Sequence, residues 1–345
     1  MSSHAETERR INAKIAEKLS GMPDYVVRYI RSIRNSTSPR TQCGYLMDVA
    51  ALLEYAADGG PLPTLADLDA MDKDFFDRYL EHLSYYRKNG KERTNSRASL
   101  QRKLVSLRRF FMYLYRSDLI ADDPIQKVEM PKAGRKNIIR LEGGEPLRLL
   151  DEAGGNGGSL TKKQAEYARK QACRDTAVLR LLLSTGIRVS ECAELDVADV
   201  DMDGHRLRIV RKGGDEAIVY FSDAAGQALS DWLEDRKLIL GDRADDEPAL
   251  FLSSRKTRLS VRSIQQLVTK HAARAVPLKH VTPHKLRATF ATELYKATGD
   301  IYLVADALGH SDVNTTKEHY ADLSQDRKAS ARNAVDYDEK GNRNE

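Results

Sequence analysis

The sequence predicts a mainly α-helical chain with one small β-sheet, divided into two domains. Three observations predict it. The 345 residues exceed what a single hydrophobic core ordinarily serves. Apolar residues recur at helical spacing through most of the chain, and period-two alternation is confined to residues 205–221. Between two helical regions lies "DDPIQKVEMPKAGRKNI", a basic segment whose prolines disfavour helix just before them, which reads as an extended linker.

Each part follows in order. Residues 1–24 are polar and charge-mixed and read as an N-terminal tail or frayed helix. Residues 25–123 form a helical domain, with helices near "TQCGYLMDVAALLEYA" and "DKDFFDRYLEHLSYY" separated by a turn at "DGGPLPT". In "SLQRKLVSLRRFFMYLYR", Leu100, Leu104, Leu107, Phe111 and Leu114 share one helical stripe, while Arg102, Arg109 and Arg116 lie on the opposite face. The linker spans 124–140, and a second domain spans 141–325. That domain opens with a helix near "GGEPLRLLDEAG" and a flexible loop at "GGNGGS", then a long helix near 163–184. A hairpin follows in "HRLRIVRKGGDEAIVYF", with helices beyond residue 222 and a C-terminal tail over 326–345. No internal repeat is evident.

Charge is unevenly spread. The net charge of +5 is mild, yet residues 85–140 hold fifteen Lys and Arg against five Asp and Glu. A concentrated basic block suits a polyanion, because phosphate neutralisation with counterion release dominates nucleic-acid affinity. A solvated charged face has the same composition, so charge alone does not decide. Arg102, Lys103, Arg108, Arg109, Arg116 and Lys132 are the candidate DNA-contacting residues. No apolar run is long enough for a membrane span or a secretory leader, so a soluble, cytoplasmic protein without a membrane partner is expected. Cys43, Cys173 and Cys192 include no CxxC pair and support neither a disulfide framework nor a thiolate zinc site.

Several short stretches carry residue types suited to phosphate chemistry. In "VTPHKLRATFATEL", Thr282 reads as an N-cap and Pro283 as the first helical residue, which places His284 in the opening turn and Arg287 one turn along the same face. Backbone N–H groups and the helix dipole favour an anion there. In "STGIRVSECAEL", Gly186 ends one helix, Arg188 begins the next, and Glu191 is spaced to hold the guanidinium. A planar guanidinium donates two parallel hydrogen bonds to phosphate oxygens, which an ammonium does not, and two of them can clamp one phosphate. Lys212 sits at the hairpin tip beside Gly213 and Gly214, an exposed place for a proton donor, with Arg211 and Lys256 as rivals. Asp300 caps a helix that Gly309 terminates, leaving His310 in the connection, and Ser311 caps the next helix, which carries Tyr320. A phenol with a pKa of about 10 is a nucleophile at neutral pH only if its proton is removed and the charge developing on the attacked group is stabilised. Each stretch alone also fits an ordinary helix surface or turn; together they point to phosphoryl transfer through tyrosine.

The ordered set "TGIRVSE", a hairpin lysine, "HKLRATFAT" and "LGHSDVNTTKEHY" resembles the tyrosine recombinase family of phage and transposon integrases and Xer recombinases. "TSPRTQCGYLMDV" and "VSLRRFFMYLYRSDLIADDPIQKVEMPK" are similar to that family's N-terminal core-binding domain. The resemblance implies a helical core-binding domain and a mixed α/β catalytic domain that clamp duplex DNA. It implies Arg188 and Arg287 as phosphate-binding arginines, supported by Glu191, with His284 in the H-x-x-R box, Lys212 as general acid, His310 as second histidine and Tyr320 as nucleophile. Two positions depart from the pattern. Ala288 stands where the box often ends in histidine, and His319 occupies the place where the tyrosine commonly lies. Tyr320 is chosen over His319 because the connecting loop can absorb a one-residue helical offset of about 100°, whereas a phosphohistidine abandons the family's chemistry.

The activity so implied is site-specific DNA recombination through a 3′-phosphotyrosine, by a homotetramer on two duplexes that is a monomer or weak oligomer without DNA, in a mobile-element or chromosomal setting. Residues near the C-terminus would dock in trans. One ester is exchanged for another, so no cofactor is implied, and no carboxylate cluster suggests a metal. The short 1–24 segment favours a simple two-domain enzyme. A type IB topoisomerase would use the same nucleophile, and a non-catalytic DNA-binding protein would keep only the basic block. A metal-dependent hydrolase built on His271, His280, His284, His310 and His319 would lack an HExxH pattern.

Overall fold

The structure is a computed structural model that describes residues 3–88, 91–131, 139–155, 162–211, 214–244 and 246–309. The chain divides into two compact units, Met1–Lys136 and Asn137–Glu345. Among the described residues no helix is long and apolar enough to cross a membrane.

The first unit contains α1 (Ser3–Leu19), α2 (Asp24–Ser32), α3 (Pro39–Ala57), α4 (Leu65–Asp69), α5 (Lys73–Ser84), β1 (Tyr85–Lys88), β2 (Lys91–Thr94) and α6 (Arg97–Arg116). Short polar side chains start the helices: Ser38, Thr64, Asp72 and Ser96 each accept a backbone N–H of the first turn. The stripe expected on α6 is buried from Leu100 to Leu114. Phe110 and Phe111 extend it into edge-on aromatic contacts, Phe111 with Phe76 at 5.3 Å and Phe110 with Tyr29 at 5.2 Å.

Of the two readings left open for the N-terminal residues, 3–19 take the helical one, because Ile11, Ile15 and Leu19 recur every four residues and pack on the core. Two boundaries differ from the sequence reading. The helix read through Tyr86 stops at Ser84, and Tyr85 pairs with Thr94 in an antiparallel ladder. The linker begins later than 124: Pro124–Lys127 form a short 3-10 helix, and Ile125 and Val128 are buried. Gln101 donates to the Pro131 carbonyl at 2.6 Å, so the chain stays on this unit to residue 131.

The arginine row of α6, Arg102, Arg109 and Arg116, is exposed as expected, but two of its members also bond within the unit. Asp48 on α3 is only 4% exposed and accepts both Arg102 Nη1 at 2.8 Å and Lys103 Nζ at 3.2 Å. Arg108 donates to the Val128 carbonyl, and Arg109 reaches Ser36 Oγ and lies over the Tyr45 ring. Arg116 is exposed, and Lys132 lies outside the described residues. A buried carboxylate held by two cations is costly to strip of its charge. Asp48→Asn is therefore expected to destabilise the first unit by about 1–3 kcal/mol, read as a lower denaturation midpoint at unchanged m-value.

The second unit contains α7 (Glu145–Gly154), α8 (Lys162–Thr185), α9 (Val189–Glu194), β3 (Val200–Asp201), β4 (Arg206–Val210), β5 (Glu216–Tyr220), α10 (Asp223–Leu240), α11 (Val261–Ala275), α12 (Pro283–Thr298) and α13 (Ile301–Leu308). The three strands form an antiparallel sheet in the order β3-β4-β5, with Leu207 opposite Val219. Alternation works as expected: Leu207 and Ile209 are buried, while Arg206, Arg208 and Val210 face outward. Around α8, whose Ala177, Val178, Leu179, Leu181 and Leu182 are buried, pack α7, α10 and α12. Trp232 fills the α10 side and donates its Nε1–H to the Leu250 carbonyl at 2.8 Å.

Candidate active site

The turn after α8 sets the first arginine. Gly186 has φ +62 and its N–H caps the Leu182 carbonyl at 3.1 Å. A Cβ at Gly186 would meet the Phe290 ring at 2.2 Å, so glycine is required by both conformation and space. Two residues on, Arg188 is the N-cap of α9. Glu191, buried in the first turn, accepts the Arg188 backbone N–H at 2.6 Å and its Nη1 at 2.8 Å. The guanidinium therefore sits on a carboxylate brace, 35% exposed. Its Nη2 donates to the Gly309 carbonyl at 3.3 Å.

Thr282 is the N-cap of α12 and Pro283 its first residue, although the Thr282 side chain makes no capping bond. His284 is exposed in the opening turn, and Arg287, one turn on, is 7% exposed. Arg287 Nη1 donates to the Gly186 carbonyl at 2.6 Å and Nη2 to the Leu308 carbonyl. Asp300 caps α13 by accepting the N–H groups of Tyr302 and Leu303, and Gly309 ends that helix at φ +59. The two arginines thus converge on consecutive carbonyls, Leu308 and Gly309, immediately before His310 in the sequence. His310, Tyr320 and Lys212 lie outside the described residues.

Both rivals to Lys212 are among the described residues. Arg211 turns its guanidinium onto the Asp306 and Ala307 carbonyls of α13, a contact that sequence reasoning missed because it joins positions 95 residues apart. Lys256 occupies a tight turn at φ +59 closed by Ser253 and Thr257. His271, one of the histidines considered for a metal, is buried against Asp175 at 3.0 Å. Among the described residues no group of three or more His, Cys, Asp or Glu is placed to hold a metal.

Four other nucleophilic side chains are disarmed by burial. Burial pushes the Tyr25 phenol up to about 12, and it pushes the phenols of Tyr29 and Tyr79 upward as well. The Cys192 thiol is pushed up to about 12 by burial first and by Glu191 second. A thiolate is the reactive form, so Cys192 is expected to resist iodoacetamide at pH 8 in the native protein and to react once unfolded, as peptide mass spectrometry would report.

Residues 160–327 match the family model described as Phage integrase family, and residues 26–118 match Phage integrase, N-terminal SAM-like domain. The tyrosine recombinase XerC of Pelobacter propionicus is 31% identical over 292 residues, covering 84% of this chain and 87% of that protein. The chain belongs to the phage integrase family. It is a tyrosine-type site-specific recombinase. The XerC of Mycobacterium bovis agrees, at 33% identity over 281 residues, 81% of this chain and 87% of that one. In fold the chain is similar to a XerH site-specific recombinase bound to palindromic difH substrate, with a TM-score of 0.68, 19% identity and coverage of 94% of this chain and 88% of the other. It is also similar to a lambda integrase tetramer bound to a Holliday junction, with a TM-score of 0.62, 19% identity and coverage of 86% and 76%. The mainly helical, two-domain fold expected from the sequence is that of the tyrosine recombinases.

Proposed function

We propose that this recombinase cleaves and rejoins duplex DNA through Tyr320, with Arg188 and Arg287 holding the scissile phosphate. The observation that carries the reading is the anchoring of both guanidiniums on the Leu308 and Gly309 carbonyls, which join directly to His310. Five donors per guanidinium let Arg188 keep its Glu191 and Gly309 bonds and still offer N–H groups to a phosphate. The Tyr320 phenol oxygen bonds to phosphorus as the bond to the 5′ oxygen breaks. His284 accepts the phenol proton, and the Lys212 ammonium gives one to the leaving oxygen. Arg188, Arg287 and His310 stabilise the charge gathered on the non-bridging oxygens. The product is a 3′-phosphotyrosine and a free 5′ hydroxyl, and attack by the partner duplex's 5′ hydroxyl reverses the step without ATP.

On this reading the first unit, with its basic block, grips DNA and the second performs the chemistry, in the cytoplasm, as a homotetramer on two duplexes. Arg116 contacts phosphate. Arg116→Ala is expected to weaken DNA binding uniformly across sequences and to lower the log–log salt slope by about 1, measured by fluorescence anisotropy. Arg102→Ala, whose partner is Asp48, is expected to act on stability instead.

The test sequences the DNA beside the gene for short inverted repeats and places the candidate site on two duplexes of different length. Strand exchange between them is expected, with cleaved 5′ ends that accept a kinase label without phosphatase treatment and 3′ ends blocked by protein. Relaxation of supercoiled plasmid without exchange, or 5′-phosphate ends, would overturn the proposal.

A further inference from the structure

The end of α13 is capped by arginines from three separate elements. A helix leaves its last four carbonyls without intrahelical partners; here the Gly309 N–H reaches back to Ala305 and Asp306, and arginines take the carbonyls from Asp306 to Gly309. Arg211 Nη1 and Nη2 both donate to the Asp306 carbonyl at 3.2 Å, and Nη2 also to Ala307 at 3.3 Å. Arg287 takes Leu308, and Arg188 takes the next carbonyl, Gly309. Positive charge belongs there, because the helix dipole is negative at this end. Gly309 serves the arrangement twice: it adopts φ +59, and a Cβ on it would meet Arg211 Nη1 at 2.0 Å.

Arg211 follows the last residue of β4 and forms the base of the β4–β5 turn. Its backbone N–H donates to the Asp215 carbonyl at 2.8 Å, and its own carbonyl accepts the Gly214 N–H at 3.0 Å. The base of the turn is therefore fixed by backbone bonds on one side and by the α13 carbonyls on the other. Lys212 is the next residue in the sequence. Arg211 itself cannot be the acid, since a guanidinium keeps its proton at any working pH.

We infer that Arg211 is a positioning residue, fastening the hairpin to the end of α13 so that Lys212 is delivered to the same phosphate that Arg188 and Arg287 hold. The inference rests on Lys212 being the general acid. In the step concerned, the Lys212 ammonium proton moves to the 5′ oxygen as its bond to phosphorus breaks and the bond to the Tyr320 oxygen forms.

A leaving group that needs no proton separates positioning from folding. Replacing the bridging 5′ oxygen by sulfur gives a thiolate leaving group, whose conjugate acid has a pKa of about 8.5 and so departs unprotonated. With the oxygen substrate, Arg211→Ala is expected to slow single-turnover cleavage about 100-fold, the cost of a misplaced catalytic group. With the sulfur substrate its rate is expected to return to within about threefold of the unsubstituted protein. Arg211→Lys, which can still reach one carbonyl, should show the same pattern with a smaller loss. Lys212→Ala is measured alongside. Failure of sulfur to restore Lys212→Ala would overturn the general-acid reading. Restoration of Lys212→Ala but not of Arg211→Ala, or an Arg211→Ala rate on oxygen equal to that of the unsubstituted protein, would overturn the positioning role alone.

Discussion

Arg287→Lys is expected to lower single-turnover DNA cleavage by about 100- to 1000-fold, the loss typical of removing one donor to a developing oxyanion. The charge survives the substitution, but the planar fork does not. In the folded chain that fork spans two buried carbonyls, Gly186 at the end of α8 and Leu308 at the end of α13. A lysine reaches one of them at best, and the other is left buried without this donor at a cost of about 1–3 kcal/mol. The same substitution should therefore lower thermal stability as well as rate. If Arg287→Lys cleaves as fast as the unsubstituted protein, a point charge suffices and the two-pronged clamp is wrong.

Gly186→Ala is expected to destabilise the second unit by about 2–5 kcal/mol, from about 1–2 kcal/mol for a left-handed alanine and about 1–3 kcal/mol for displacing the packed Phe290 ring. The contact is severe: the added Cβ would lie 2.2 Å from Phe290 Cδ1 and 2.8 Å from Cε1. Because Gly186 also presents the carbonyl that Arg287 uses and lies two residues before Arg188, cleavage should fall with stability. Phe290→Ala removes the obstructing ring, so the double variant should cost less than the sum of the two single changes, as contacting residues couple. Strict additivity, measured by denaturant unfolding, would show that the ring is not the obstacle.

The features legible in the sequence are those written within a few residues. Gly186, Asp300 and Gly309 announce helix ends through conformations or capping bonds that only such residues supply, and the structure places each as expected. The arginine–glutamate brace at Arg188 and Glu191 is readable for the same reason, being one helical turn long. The paired strands at Tyr85–Thr94 carried a signal in the Asn89-Gly90 dipeptide, but charged rather than alternating apolar residues flank it. Other features depend on partners far along the chain. That Arg102 also braces the buried Asp48, 54 positions away, is invisible in the sequence. Arg211 looks like a rival acid until the end of α13 is brought beside it. Helix periodicity says which face is polar; it does not say whether a cation there meets solvent, DNA or a buried carboxylate.

The most direct measurement identifies the atom that attacks. The protein is trapped on a target duplex nicked so that the short 5′-hydroxyl fragment diffuses away, then digested and mapped by tandem mass spectrometry. The account predicts a nucleotide joined to Tyr320 through an acid-stable phosphoester, absent from Tyr320→Phe and still formed by His319→Gln. An acid-labile adduct on His319, or an adduct that persists in Tyr320→Phe, would contradict it.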